Sequence, residues 1–449
     1  MNHVIILAAG KGTRMHMNTP KCAIEILGKP MISYLLDTIE KINIDDVITV
    51  VGYNSQILTK IISKRSLIVK QKKQLGTADA VMAASSKVEE DNGYSIIING
   101  DTPLINENIL NDLINTHKKD KNDLTLTTIT LDNPFGYGRI VRKGNNIVKI
   151  KEEKDATKKE KEIKEVNAGL YIVNNNLLFK ALKKVDNNNA KNEYYLTDIV
   201  SILKNKKIGA YKSNEIYRLT GINDLYHLHE VEDFLRNEIN KKLMYSGVYI
   251  ENPNTVTIGP DVVINESTKI YQNTRILGNS RIGSNISIGP NTTIINSIIY
   301  DETNIIDSYI SDSIIGTACQ RGQYAHLREN SIIGSKNRIG NFVEFKKSST
   351  KTNTKASHLA YVGDSIVGEN VNFGCGSITV NFDSKEKHKT IIEDNVFIGC
   401  NSNLIAPIKI SSNTFIAAGS TITDDLEDGD FAIARSKQIT KKNYAKKYK

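Results

Sequence analysis

Seven isoleucines, Ile258, Ile264, Ile270, Ile276, Ile282, Ile288 and Ile294, stand six residues apart. A second run, Ile392, Ile398, Leu404, Ile410, Ile416 and Ile422, keeps the same interval. A helix repeats a face every ~3.6 residues and a strand every second residue, so neither yields a strict six. A hexapeptide solenoid does: each repeat makes a short strand and a turn, with the aliphatic side chain pointing inward. An isoleucine-rich antiparallel sheet would not hold phase over this length. The expected fold from residue 248 onward is a left-handed parallel β-helix with triangular coils. Its phase breaks in "GTACQRGQYAHLREN", between Ile315 and Ile333, and in "TVNFDSKEKHK", between Ile378 and Ile392. Both are read as insertions leaving the coil, and both are rich in Arg, Lys, His and Asn.

The first half follows another rule. "HVIILAAG", "DDVITVVG" and "YSIIINGD" read as strands and "MISYLLDTIEKI" as a helix, which predicts a Rossmann-like α/β layer on a mostly parallel sheet. Ligands of such sheets sit outside the carboxyl ends of the strands, where Gly10, Gly52 and Asp101 fall. Leu225, Leu228, Val231, Leu235, Ile239 and Leu243 recur at helical spacing and form a connector. The 449 residues thus divide into 1–224, a helical linker 225–247, and 248–449 with a basic tail.

The net charge of +9 is scattered, without a stripe of interleaved aromatics, and points to phosphorylated small substrates rather than nucleic acid. The tail "KKNYAKKYK" reads as a solvated end. No apolar run is long enough to span a bilayer, and no secretory segment opens the chain. Cys22, Cys319, Cys375 and Cys400 are too dispersed for a metal site or a disulfide framework, which suits the cytoplasm.

"LAAGKGTRM", Leu7 to Met15, delivers a strand into a glycine-containing basic loop. It completes neither G-x-x-x-x-G-K-[ST] nor G-x-G-x-x-G. Gly10 and Gly12 nevertheless let backbone amides approach phosphate oxygens, and Arg14 and Lys21 supply cations. The stretch, with "TPK" behind it, resembles the signature of nucleotidyltransferases that activate sugar 1-phosphates. "QLGTADA" (Gln74 to Ala80), "NGDTPL" (Asn99 to Leu104), "GYGRI", Glu152, "VNAGLY" and "TGIND" follow in that family's order. In the second half, "NFVEFKKSSTKTNTKASHLAYVGDSIVGENVNFGCGSITVNFD" resembles an acetyltransferase domain. Together, over nearly the whole chain, these segments resemble the bacterial bifunctional N-acetylglucosamine-1-phosphate uridylyltransferase/glucosamine-1-phosphate N-acetyltransferases.

The resemblance implies specific roles. Arg14 and Lys21 would act in uridylyl transfer, and Asp101 and Asn223 would hold Mg2+. UTP or UDP-N-acetylglucosamine would meet Leu7, Ala8, Gly10, Gly12, Lys21, Gln71, Gly76, Thr77, Gly138, Glu152, Asn167 and Asn223. His358 would be the general base of acetyl transfer, suited by a histidine's titration range. Arg328, Lys346, Tyr361 and Asn372 would bind the sugar phosphate. Cys375, Asn381, Phe382, Cys400, Ala418 and Arg435 would bind acetyl-CoA. Phe382 replaces the usual Tyr, Cys375 stands where Ala is common, and Cys400 where Ser is common. Neither cysteine has an evident basic partner in the sequence, and both read as small buried side chains.

The implied substrates are glucosamine 1-phosphate, acetyl-CoA, N-acetylglucosamine 1-phosphate and UTP, and the implied assembly is a homotrimer. Two other readings compete: a nucleotidyltransferase with a merely structural or regulatory solenoid, and a translation-factor-like regulator. The intact strings "GTRM", "TPK" and "ASHLAYVGD" argue against the regulator.

Overall fold

The computed structural model describes residues 1–10, 12–52, 55–88 and 92–448, without the side chain of Arg321. Lys11 of the glycine loop and Lys449 of the tail lie outside the described residues. Two compact units result, Met1–Asp233 and Phe234–Lys449.

The first unit is built on a nine-stranded sheet. Its strands are β1 (His3–Ala8), β2 (Asp46–Val51), β3 (Leu67–Lys70), β4 (Tyr94–Asn99), β5 (Leu124–Thr130), β6 (Arg139–Lys143), β7 (Asn146–Lys151), β8 (Glu165–Asn174) and β9 (Ile208–Lys212). Their order is β9-β5-β8-β4-β1-β2-β3, with β6 on β8 and β7 on β6. The central strands are parallel, as their continuous apolar runs require of strands covered on both faces. Strand β8 runs antiparallel to both β4 and β5, and the β6–β7 hairpin joins it through antiparallel pairing as well. The register of β8 shifts between Asn167 and Tyr171, beside Gly169 at φ 73°. Bulges of this kind re-aim side chains next to sites.

Helices cover both faces. α1 (Met31–Ile39) and α3 (Glu107–Lys119) bury Ile32, Leu35, Leu36, Ile109, Leu110 and Leu113 on one side. α2 (Thr77–Ala83) packs Ala78, Ala80 and Val81 on the other. Asn106 caps α3 by accepting a hydrogen bond from the Ile109 amide at 3.0 Å, satisfying one of its orphan donors.

The second unit is a parallel solenoid. Ile258 pairs with Ile276 and Ile276 with Ile294, so three hexapeptides make one coil. The inward isoleucines form one continuous core. The connector helix α4 (Leu225–Tyr245) packs Ile239 and Leu243 against that core. Its buried Asn240 amide donates to the carbonyls of Pro253 at 2.9 Å and Val256 at 3.0 Å. The first coil thereby gains the cover that terminal repeats need.

The two expected phase breaks have different outcomes. Residues 316–330 are not an insertion. Ile315 pairs directly with Ile333, and the backbone of Gln320–Arg321 keeps register with Asn304–Ile305 and Arg338–Ile339. Buried Cys319, Ala325 and Leu327 continue the core, so the apparent break reflects a change of residue type at inward positions. The second break is a true insertion. Val367 pairs with Ile392, and Phe382 and Lys387 form an antiparallel bridge outside the coil. His388 and Asp383 brace this loop at 2.8 Å.

One corner of the solenoid carries an asparagine ladder. Asn353, Asn370, Asn395 and Asn413 all adopt positive φ. Their side chains link coil to coil, at 2.8 Å for Asn353 to Asn370, 3.0 Å for Asn370 to Asn395 and 3.3 Å for Asn395 to Asn413. Asparagine tolerates the left-handed region better than other side chains with a Cβ, which explains its abundance between the isoleucines.

Candidate active sites

Strand β1 ends at Ala8 and releases the chain into the glycine loop. Gly12 has φ 61°, and a Cβ there would lie 2.8 Å from Lys21 Cβ. Gly12 therefore fits against Lys21 only because it has no side chain. Buried Met15 anchors the far end of the loop.

Lys21, Asp101 and Asn223 converge. Lys21 Nζ stands 2.5 Å from Asp101 Oδ2 and 3.4 Å from Asn223 Oδ1. Arg14 donates to the same Asn223 oxygen at 2.9 Å. Asp101 follows the carboxyl end of β4, and its carbonyl accepts the Ile222 amide at 2.9 Å, which pins the Asn223 loop. The adjacent Cys22 thiol is pushed up to about 12 by burial and by the Asp101 charge.

Two cavities meet at these groups. One, of about 520 Å³, is lined by Leu7, Gly10, Gly12, Gln71, Gly76 and Thr77 beside Arg14, Lys21, Asp101 and Asn223. Ala8 stays buried in β1, and its neighbours Leu7 and Ala9 reach the wall instead. Gln71 donates to the Gly76 carbonyl at 3.1 Å and to Asp79 at 2.7 Å, bracing the segment that carries Thr77. Gly76 has φ 127°, and a Cβ would stand 2.4 Å from the Tyr194 carbonyl oxygen.

The second cavity, of about 480 Å³, shares Arg14, Thr77, Asp101 and Asn223 and adds Gly138, Glu152 and Asn167. Asn167 donates to Tyr171 Oη at 2.6 Å and accepts the Gly169 amide at 3.1 Å, so the β8 bulge locks its orientation. Burial raises the Glu152 carboxyl above the usual range, and the Thr197 hydroxyl, donating at 3.0 Å, partly offsets this. Burial and the Glu152 charge also push the Tyr171 phenol up. Sequence reasoning missed Tyr171 and Thr197 as the supports of Asn167 and Glu152. It also missed Phe135, an exposed aromatic at the rim.

In the solenoid, Arg328 and Lys346 occupy the same register on adjacent coils. Arg328 is held by Glu344, with Nε donating at 2.8 Å, and by Glu329 at 2.7 Å. Lys346 lies 3.6 Å from Glu329. It also meets Lys387 of the insertion, whose ammonium is held below the usual lysine range by this contact. Lys387 completes a three-cation cluster, and its only sequence signal was the basic character of the insertion. Tyr361 follows Glu344 in register. Buried Asn381 donates to Asp364 at 2.5 Å and lies 3.5 Å from Tyr361 Oη. Phe382 is exposed at the base of the insertion, and Asn372 pairs in the ladder between Lys355 and Phe397.

His358, Cys375, Cys400 and Ala418 fall at matching positions on successive coils, each three residues after the paired Lys355, Asn372, Phe397 and Phe415 and three before the paired Tyr361, Ile378, Asn403 and Thr421. The Gly376 amide bonds the Leu359 carbonyl, Asn401 that of Cys375, and Gly419 that of Cys400, at 2.7, 2.8 and 2.7 Å. His358 is exposed, and so are both thiols. The expectation of buried cysteines is therefore wrong: this corner points outward, and the inward positions belong to Phe373 and Ile398. Cys375 also has His358 as its neighbour one coil away. Unequal coil lengths hid that adjacency in the sequence. Arg435 donates to the Ala418 carbonyl.

Residues 3–218 match the Nucleotidyl transferase family, 257–340 the GMPPB C-terminal domain, and 389–424 the Bacterial transferase hexapeptide (six repeats). A relative from Acholeplasma laidlawii (strain PG-8A), described as Bifunctional protein GlmU, is 51% identical over 99% of this chain and 97% of its own. The chain belongs to the bifunctional GlmU family. GlmU relatives from Staphylococcus epidermidis and Listeria monocytogenes serotype 4a (strain HCC23) are 45% and 42% identical over 99% of the chain, covering 99% and 98% of their own. This GlmU-family enzyme joins a nucleotidyl transferase unit to a transferase hexapeptide unit. Among its described residues no helix is long and apolar enough to cross a membrane.

Proposed function

We infer that the chain acetylates glucosamine 1-phosphate from acetyl-CoA and then joins the product to UTP. The products are UDP-N-acetylglucosamine, a precursor for cell-wall synthesis, and pyrophosphate. Uridylyl transfer is assigned to residues 1–224 and acetyl transfer to 248–449, with 225–247 as linker. The observation that carries the reading is the convergence of Arg14, Lys21, Asp101 and Asn223 at the junction of two cavities, one for each reactant.

In uridylyl transfer, an oxygen of the sugar phosphate attacks the α-phosphorus of UTP, the α–β anhydride bond breaks, and pyrophosphate leaves. Positioning and charge neutralisation dominate such chemistry. Backbone amides at Gly10 and Gly12 face the phosphates, while Arg14 and Lys21 compensate the charge of the departing pyrophosphate. Leu7, Ala8, Gln71, Gly76 and Thr77 shape the nucleotide cavity. Gly138, Glu152 and Asn167 receive the sugar, and Glu152, with its raised affinity for a proton, suits a sugar hydroxyl. Asp101 and Asn223 offer one carboxylate and one amide oxygen to a single ammonium nitrogen. That donor set fits Mg2+, which keeps most of its shell for water and phosphate. Bound there, the ion would neutralise triphosphate charge.

In acetyl transfer, His358 takes a proton from the amine, the nitrogen attacks the thioester carbonyl, and the coenzyme thiolate leaves. Arg328 and Lys346, joined by Lys387, hold the phosphate, and Tyr361 and Asn372 the sugar. Cys375, Asn381, Phe382, Cys400, Ala418 and Arg435 line the path of acetyl-CoA. Stacked exposed rings of Phe397, Phe415 and Phe431, with centroids 4.6 and 5.5 Å apart, offer an apolar face for self-association, and the proposed assembly is a homotrimer. The expected location is the cytoplasm.

The test pairs two half-reactions. Pyrophosphate release is measured with UTP, N-acetylglucosamine 1-phosphate and Mg2+, and free thiol release with acetyl-CoA and glucosamine 1-phosphate. Both are expected from the wild-type protein. A folded protein inactive in either loses that half of the assignment.

A further inference from the structure

Four cysteines are present, and the two in the solenoid corner differ from the rest. Cys22 and Cys319 are 5% and 1% exposed, whereas Cys375 and Cys400 face solvent. The exposed pair is also in register. The Asn401 amide bonds the Cys375 carbonyl at 2.8 Å, which sets Cys400 beside Cys375 on the next coil. Neighbouring strands lie about 4.8 Å apart, inside the roughly 4.4–6.8 Å range of Cα separations that a disulfide bridges. The glycine before each cysteine keeps this corner tight. A Cβ on Gly374 would meet the Cys400 nitrogen at 2.5 Å, and one on Gly399 the Ala418 nitrogen at 2.4 Å. One coil in the other direction stands His358, an imidazole able to accept a thiol proton.

We propose that Cys375 and Cys400 form an oxidisable dithiol, a modification site for low-molecular-weight disulfides that closes the acetyl-CoA path. The chemistry is thiol–disulfide exchange. The Cys375 thiol gives up its proton, and its sulfur attacks one sulfur of the small disulfide, whose S–S bond breaks to release one thiol. The Cys400 sulfur then attacks Cys375 Sγ in the mixed disulfide, and a second small thiol leaves. Two protein thiols and one small disulfide become one protein disulfide and two small thiols. The effect on activity rests on the acetyltransferase reading, while the cross-link itself does not.

The full-length protein is incubated with oxidised glutathione, alkylated, digested and analysed by mass spectrometry, with both half-reactions assayed in parallel. The expected product is a peptide pair joined through Cys375 and Cys400. Acetyl transfer is lost and returns with dithiothreitol, uridylyl transfer is retained, and saturating acetyl-CoA slows the cross-link. The Cys375→Ala/Cys400→Ser protein, compared with its own untreated rate, is insensitive. Absence of the cross-link overturns the proposal, as does equal inactivation of that double variant. An untreated wild-type protein without acetyl transfer would instead sink the acetyltransferase reading, and the cross-link would still decide the dithiol.

Discussion

Lys21 is where the uridylyl assignment is most exposed to test. Its ammonium touches Asp101 and Asn223, the two oxygens assigned to Mg2+. Lys21→Ala is expected to lower uridylyl transfer by about 10²–10³, the cost of removing one preorganised charge-stabilising group. Acetyl transfer in the same protein stays at the wild-type rate, which separates lost chemistry from lost folding. Glu152 offers a pH signature. Its folded carboxyl binds a proton more tightly than an unfolded glutamate near ~4.3. The folded state is therefore favoured by this group below that value and progressively penalised as pH rises to the raised folded value. Glu152→Gln removes the penalty. Thermal unfolding is expected to give the variant a higher Tm than wild type at neutral pH, the gap closing in acid, while KM for N-acetylglucosamine 1-phosphate rises. A gap independent of pH would contradict the burial argument.

The ladder at the solenoid corner shows what an element adds beyond its residues. Asn370 sits at φ 58° and bonds Asn353 below and Asn395 above. Asn370→Ala is expected to destabilise the solenoid by about 1–2 kcal/mol, from left-handed backbone strain and the lost side-chain bonds. Asn370→Gly should lose less, because glycine keeps the backbone angle freely. Denaturant midpoints of the two variants make the comparison, and equal losses would mean that φ is irrelevant there. The solenoid itself was legible because a period of six leaves one architecture. Its irregularities were not. A scan for isoleucine treats Cys319, Ala325 and Leu327 as a rupture, although buried small residues continue the core. For the same reason it does not reveal that His358 and Cys375 are neighbours, since the coil between them is shorter than the coil that follows. In the first unit, Gly12, Lys21, Asp101 and Asn223 were legible because a dense ordered motif names them. Tyr171, Thr197 and Lys387 were not, because supporting residues act through geometry that only the fold creates.

At the scale of the whole molecule, two separately packed units predict two separable chemistries. His358→Ala is expected to lower acetyl transfer by about 10²–10⁴, the usual contribution of a general base, with pyrophosphate release from UTP and N-acetylglucosamine 1-phosphate unchanged. Parallel loss of both would mean that the histidine supports folding. Supplied N-acetylglucosamine 1-phosphate should restore nucleotide-sugar formation to that variant, whereas Lys21→Ala should accumulate the acetylated sugar phosphate. The most direct measurement is the complete sequence in one vessel: purified full-length protein, glucosamine 1-phosphate, acetyl-CoA, UTP and Mg2+, with products resolved over time. Free coenzyme A is expected first, then pyrophosphate and UDP-N-acetylglucosamine in matching amounts, and none of the last two when acetyl-CoA is withheld. Nucleotide-sugar formation that ignores acetyl-CoA, or coenzyme A release with no pyrophosphate after it, would mean that the two units do not act in this sequence.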